Sequence, residues 1–207
     1  MKNYILRILL LLLLFHSCKK DEIKYTLEDF ILAGQKNVET TEYVNLEPEI
    51  NFTIIPKFET TADTTLNLDL NKDGVIDYSL KRTVAPYMML GTDYELASII
   101  PQMDNEICID QTTTWVDTLS YLDSINTNNF WTNKEAIIYS YLWEYETGST
   151  YEGFWHKVRS TDKKFIGIKM YVNDKTYYGW IGMYSDSTFK SFDFFLTDYA
   201  ITNEYLK

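Results

Sequence analysis

Residues 165–184 are the stretch of this chain that most narrows its fold. Phe165-Ile166-Gly167-Ile168-Lys169-Met170-Tyr171-Val172 is a run of apolar, β-branched and aromatic residues. Asn173-Asp174-Lys175 is a cluster of turn formers, and Thr176-Tyr177-Tyr178-Gly179-Trp180-Ile181-Gly182-Met183-Tyr184 is a second run of the first kind. Such side chains suit a pleated, half-buried surface, and two short runs joined by a turn cluster make a β-hairpin. The rest of the chain repeats this pattern. Ile50-Asn51-Phe52-Thr53-Ile54 and Leu66-Asn67-Leu68-Asp69-Leu70 alternate strictly, the period of a strand with one buried face. Asp77 to Arg82 reads as the strand returning from the second of these. Phe189 to Leu196 is a further strand, which Tyr199-Ala200-Ile201 extends or closes. Residues 115–143 are ambiguous. Thr132 followed by Glu135 has the spacing of a helix-opening capping box, whereas Ile137 to Trp143 has strand composition, and we read that run as strand. The expectation is an all-β chain, a single β-sandwich or jelly-roll-like domain with mainly antiparallel pairing. The 17 Tyr, 11 Phe and 5 Trp support it.

The N-terminus carries a different kind of information. Lys2 and Arg7 precede the unbroken apolar run Ile8 to Phe15, which is well short of the about 20 residues that span a bilayer. A basic start and a short apolar run ending at a small residue describe an export signal. The run ends at His16-Ser17-Cys18, and a small residue directly before cysteine resembles the bacterial lipobox. His16 departs from that pattern, being bulky where small residues are usual, although looser versions occur in Bacteroidetes-type lipoproteins. The expectation is a signal peptide over 1–17 and a lipidated Cys18, the alternative being an ordinary signal with an incidental cysteine. Acyl chains contribute about 0.8 kcal/mol per buried CH₂, so several of them anchor a protein without spanning the membrane. Lys19-Lys20-Asp21-Glu22 resembles a surface-export signal of such lipoproteins and reads equally well as a solvated tether. These features place the chain at the outer membrane, lipid-anchored, on the periplasmic or the exterior side. Residues 18–45 then form the lipidated start, a tether and a candidate edge strand around Leu27, Phe30, Ile31 and Leu32, and residues 46–207 form the sandwich.

The formal charge of −11 disfavours nucleic-acid partners, whose phosphates an acidic surface repels. Besides Cys18 there is one cysteine, Cys108, so an intramolecular disulfide is not expected. In Glu106-Ile107-Cys108-Ile109-Asp110 it points away from its isoleucine neighbours, and with no histidine nearby in sequence it reads as a buried structural thiol rather than a nucleophile.

The segment most specific for chemistry is Asp69-Leu70-Asn71-Lys72-Asp73-Gly74-Val75-Ile76-Asp77. Ca²⁺ takes six to eight hard oxygens, which alternate residues of a tight loop can aim inward. With Asp69 as position 1, side-chain oxygens fall at 1, 3, 5 and 9, from Asp69, Asn71, Asp73 and Asp77. Gly74 stands at the sharp turn and Val75 offers its carbonyl. Leu80 stands where an EF-hand has its bidentate glutamate, and strand-like sequence flanks the loop, so this is no EF-hand. The expectation is a structural Ca²⁺ site completed from elsewhere or by water. The alternative is a plain Asx-rich hairpin turn.

Together the loop Leu68 to Tyr78, the strand Phe165 to Met170, the Tyr178-Gly179-Trp180 element and Asp198-Tyr199-Ala200 resemble a broad group of uncharacterised exported β-sandwich proteins of Bacteroidetes. That group pairs a calcium-type hairpin with a later Tyr-Gly-Trp strand. The resemblance covers about a third of the chain and implies a fold and an address but no activity. The Tyr178-Gly179-Trp180 element reads as packing, with Gly179 admitting a neighbouring backbone and Trp180 filling a core.

No catalytic set assembles readily. His156 is the one histidine outside the signal, in Trp155-His156-Lys157, with no nucleophile-elbow context and no zinc-ligand companions. We read it as a strand-surface residue. Glu144, Glu146 and Glu152 among Trp143, Tyr145, Tyr151 and Trp155 leave a glycosidase-like alternative, since paired carboxylates beside aromatic platforms perform that chemistry. Solvated strand charges account for them more simply. The favoured expectation is a non-catalytic binding or structural module, with Trp143 and Trp155 as candidate ligand-binding aromatics and a glycan or surface protein as partner.

Overall fold

The structure, a computed structural model, describes residues 30–36, 39, 41–54, 60–87, 92–144, 148–158, 160–188 and 191–202. The signal segment, Cys18 and Leu27 lie outside the described residues. Among the described residues thirteen strands follow one another: β1 (Ile31–Leu32), β2 (Thr41–Phe52), β3 (Ala62–Leu68), β4 (Tyr78–Tyr87), β5 (Thr92–Pro101), β6 (Glu106–Ile109), β7 (Ser124–Ile125), β8 (Phe130–Thr132), β9 (Ala136–Glu144), β10 (Gly148–Glu152), β11 (Lys164–Val172), β12 (Lys175–Thr188) and β13 (Ser191–Thr202). Two 3₁₀ turns, Phe154–Lys157 and Ser160–Asp162, lie between β10 and β11, and no α-helix occurs among the described residues. The chain is all-β, as its alternation predicts. One sheet runs β10-β9-β5-β4-β3, a second β2-β13-β12-β11-β6-β8, and β1 pairs with β7 as a small ribbon. Every one of these pairings is antiparallel.

The two large sheets pack as a sandwich around a common core. Leu80, Ile99 and Tyr139 come from the five-stranded sheet, and Ile166, Ile168, Met183 and Phe194 from the six-stranded one. Polar side chains cross the interior as well, Tyr78 and Arg82 among them. The Tyr78 hydroxyl reaches the carbonyls of Glu106 at 3.1 Å and Lys169 at 3.0 Å, in the opposite sheet. Arg82, fully buried, donates through Nε to Glu95 at 2.9 Å and through NH1 to the carbonyl of Phe52 at 3.0 Å. Buried charge is tolerated only when paired and hydrogen-bonded, which is the state of Arg82.

The six-stranded sheet is buried on its other face as well. Phe165, Tyr178, Trp180 and Ala200 leave that face and meet Ile31, Ala33, Leu119 and Ile125 in a second core. Trp180 is edge-on to Phe165, with ring centroids 5.1 Å apart. Each fully buried side chain of this size contributes about 1.5–3 kcal/mol by leaving water. The alternation of β12 therefore sorts two apolar sets, Ile181 and Met183 inward and Tyr178 and Trp180 outward. Gly179 is required between them, since a Cβ there would sit 2.5 Å from the carbonyl oxygen of Ala200.

Three sequence readings need adjusting. The folded module does not begin at 46: β2 starts at Thr41 and pairs with β13, and β1 packs into the second core from Ile31 onward. His156 lies in the first 3₁₀ turn rather than on a strand, because the chain needs a tight reversal after β10 and Gly153, at φ +81, supplies it. Residues Thr132–Ala136 open no helix; the run after them is β9, as its composition predicts.

Candidate functional site

The loop 69–77 joins β3 to β4, whose register brings Leu68 opposite Tyr78. Its turn is made by Lys72 at φ +59 and Gly74 at φ +88, left-handed values that glycine adopts freely. The carboxylates face the backbone of the loop itself. Asp69 accepts the amide of Asp73 at 3.2 Å through Oδ1 and that of Gly74 at 2.9 Å through Oδ2. Asp73 accepts the amide of Val75 at 2.8 Å, and Asn71 accepts that of Asp73 at 3.1 Å. Asp77, 5% exposed, accepts the amide of Leu70 at 2.7 Å. Burial raises the Asp77 carboxyl above its ordinary value, against the pull of the Leu70 and Asn71 amides, and the charges of Asp73 and Asp69 add to the rise. Val75 turns its side chain to solvent.

The five expected ligand positions therefore share one tight loop, and their donors are all hard oxygens, the set that suits Ca²⁺ rather than a softer metal. Their side chains accept hydrogen bonds from the loop's amides, and among the described residues no group of three or more His, Cys, Asp or Glu side chains is gathered closely enough to hold a metal ion. The one cation beside them, Lys72, turns outward to Glu42 of β2 at 3.5 Å.

The candidate aromatics separate. Trp155 is fully buried in the sandwich core, so it fills space between the sheets and presents nothing to a ligand, which corrects its reading as a binding aromatic. Its position in a 3₁₀ turn, where alternation does not apply, is the reason the sequence concealed this. Trp143 is half-buried on β9. The exposed rings nearby are Tyr151 and Phe154, with His156 stacked on Tyr151 at 5.5 Å and accepting or donating at Nδ1 to the carbonyl of Gly153 at 2.7 Å. Glu146 lies outside the described residues. Glu152 stands opposite Ser140, four residues from Glu144 along β9, or about 14 Å at the rise of a strand. Glycosidase carboxyl groups sit about 5–9.5 Å apart, and this register sets the backbones of Glu144 and Glu152 wider than that.

Cys108 is buried and unpaired, as expected, with its thiol pushed up to about 12, first by burial and then by the charge of Asp117. Its inertness follows, since the thiolate is the reactive form.

A second charged cluster, absent from the sequence reading, is centred on Asp198 of β13. The side chain is 1% exposed, yet Lys163 donates to it at 2.8 and 2.9 Å, Lys36 approaches at 3.3 Å, and the hydroxyls of Tyr43 and Thr197 donate at 3.1 and 2.6 Å. Burial pushes this carboxyl up, but the bonds from Lys163 and Thr197 with the charges of Lys163 and Lys36 outweigh it and hold it below its ordinary value. The register of β13 shifts between Leu196 and Asp198, and that of β12 between Gly182 and Met183. The carboxylate lies over Gly182, where a Cβ would be 2.2 Å from Oδ1. A surface cavity of about 250 Å³ opens beside it, between Lys36, Lys163, Glu47 and Glu49.

An all-β sandwich with an Asp-rich hairpin is as far as the fold and the geometry define a class. No family model, no curated protein and no solved structure matches the chain.

Proposed function

We propose that the protein is an exported lipoprotein, anchored through acyl chains on Cys18, whose sandwich is a non-catalytic binding or structural module with a hairpin fastened by Ca²⁺. The observation that carries the calcium reading is the charge of the loop: Asp69, Asp73 and Asp77 all belong to one turn, and its one lysine is engaged elsewhere. Asp69, Asn71, Asp73, Asp77 and the carbonyl of Val75 would hold the ion, with water or a neighbouring oxygen completing the shell. The ion would neutralise the turn and tie β3 to β4. Extracellular sites of this kind work at about 10⁻⁴–10⁻³ M, where exported proteins meet calcium. The address rests on the apolar run that ends at Ser17-Cys18. A partner on this reading is a glycan or another surface protein.

The test is thermal unfolding of the parent and of Asp73→Ala, in millimolar Ca²⁺ and in chelator. Tenfold excess over Kd stabilises a native state by about 1.4 kcal/mol. In a domain of this size that raises Tm by about 3–6 °C. The parent is expected to gain this increment and Asp73→Ala to lose it. Equal behaviour of the parent in both buffers would leave a plain Asx turn.

A further inference from the structure

Around the small β1–β7 ribbon, three large apolar side chains are left exposed among the described residues: Phe30, Tyr121 and Leu122. Ile31 pairs with Ile125 and Leu32 with Ser124. Ile31, Ala33 and Ile125 point into the second core, so the alternate residues turn outward, and Phe30 is 47% exposed. At the end of the ribbon, residues 120–123 form a turn closed by the Asp123 amide donating to the carbonyl of Ser120 at 3.1 Å. Its two central residues are Tyr121, 64% exposed, and Leu122, 48% exposed. Leu122 has φ +70, a conformation in which glycine is the ordinary occupant of a turn. A large apolar residue held there sits at the tip under mild backbone strain and against the usual preference of solvent-exposed turns. The tip is fixed to the ribbon, because the Leu122 amide donates to Ala33 and the Ala33 amide to Asp123, each at 2.9 Å, and Tyr121 packs over Gly34. Asp123, the acid nearest the tip, is tied down by the Ser120 amide at 2.7 Å, and Lys164 reaches the hydroxyl of Ser120 at 3.2 Å.

We propose that this face, Phe30 with the Tyr121–Leu122 tip, rests on the lipid surface to which the chain is anchored. The inference builds on acylation at Cys18, proposed above. On the anchoring reading, residues 19–29 join Cys18 to Phe30, one of these three exposed residues. Residues 19–29 reach at most about 37 Å when extended, which keeps the domain beside the bilayer. Tethering makes docking intramolecular, so a contact of a few side chains suffices. Tyrosine with an aliphatic neighbour is the pairing that settles at the headgroup boundary, to a depth of about 5–10 Å. A second copy of the chain or a protein partner would fill the same face without bringing it near acyl chains.

The experiment uses acylated protein in phosphatidylcholine–phosphatidylethanolamine vesicles made with plain or brominated acyl chains. An environment-sensitive fluorophore is placed at Leu122→Cys, at Tyr121→Cys, or at Asp174→Cys on the exposed β11–β12 turn. That turn is the far end of β11 from Phe165, where Leu119 bridges to the strand, about 25 Å away at strand rise. Buried Cys108 leaves the introduced thiol as the reactive one. Intact mass reports acylation in the same sample. Docking predicts blue-shifted emission at both tip positions and a loss of intensity on brominated lipid, with neither change at Asp174. Acylated protein whose tip labels respond like Asp174 overturns the docking alone. A blue shift that persists without quenching assigns the face to protein contact and overturns it too. A mass without acyl chains overturns the anchoring reading, and docking with it.

Discussion

The two acidic centres of this protein solve the same problem in opposite ways. At Asp198 the carboxylate is sunk into the six-stranded sheet, and the chain surrounds it with two ammonium groups and two hydroxyls drawn from four separate segments. At the 69–77 hairpin three carboxylates stand along one turn, where they accept from its backbone amides and from the side-chain amide of Asn71. The first centre carries its counter-charge within the fold. The second is left with negative charge that an external cation would relieve, and Lys72, the residue placed to do so, points to Glu42 instead. Burial pushes both carboxyls up; at Asp198 the lysines and Thr197 outweigh it, whereas at Asp77 the amides of Leu70 and Asn71 do not. A dense group of carboxylates is therefore weak evidence of an ion site until the cations around it are counted.

The comparison breaks most visibly at Asp198. Replacing it by alanine removes the acceptor shared by Lys36, Lys163, Tyr43 and Thr197, and is expected to cost about 2–3 kcal/mol at neutral pH in denaturant unfolding. The lysines retain access to water, which keeps the loss below that of a fully enclosed pair. Because the folded value lies below the ordinary 3.8, this contribution is present above 3.8 and is lost as pH falls through the folded value, so parent and variant should converge in strong acid.

The second effect sharpens the difference between the centres. Asp77 is raised above 3.8, so without a cation its ionisation costs stability as pH climbs from 3.8 through the folded value. Calcium needs that carboxylate ionised. The calcium-dependent increment in Tm should then vanish on acidification through the raised Asp77 value, before the Asp198 contribution begins to fail. Loss of both over one pH interval would show that the two acids are not separately controlled. The smallest effect belongs to Lys72→Ala, which removes an exposed ion pair and should change stability by no more than about 0.5 kcal/mol while leaving the calcium increment in place. A variant that abolished the increment would put Lys72 inside the site.

The hairpin 165–184, the alternation at 66–70 and the returning strand after Asp77 were readable because their contacts are local and their period is two. The register shift at Asp198 was half visible: the apolar pattern stops at Leu196 and resumes at Tyr199, which is where the strand bulges. What its carboxylate meets was not visible, since Lys36 lies far away in sequence and Lys163 sits in a turn without periodicity. Trp155 misled for the same reason, its place in the sequence beside Glu152 suggesting an exposed aromatic that the 3₁₀ turn does not present. The covering layer of β1, β7 and the 110–131 segment has strands of two or three residues, too short for any alternation to register.

The middle of the six-stranded sheet is enclosed on both faces. A strand such as β3, with every second residue facing water, can exchange half its side chains freely, and its tolerance to substitution keeps a rhythm of two. In β11 four consecutive residues, Phe165 to Ile168, are enclosed, so every substitution along that stretch meets one core or the other. Substitutions at the outward positions of β3 meet water instead.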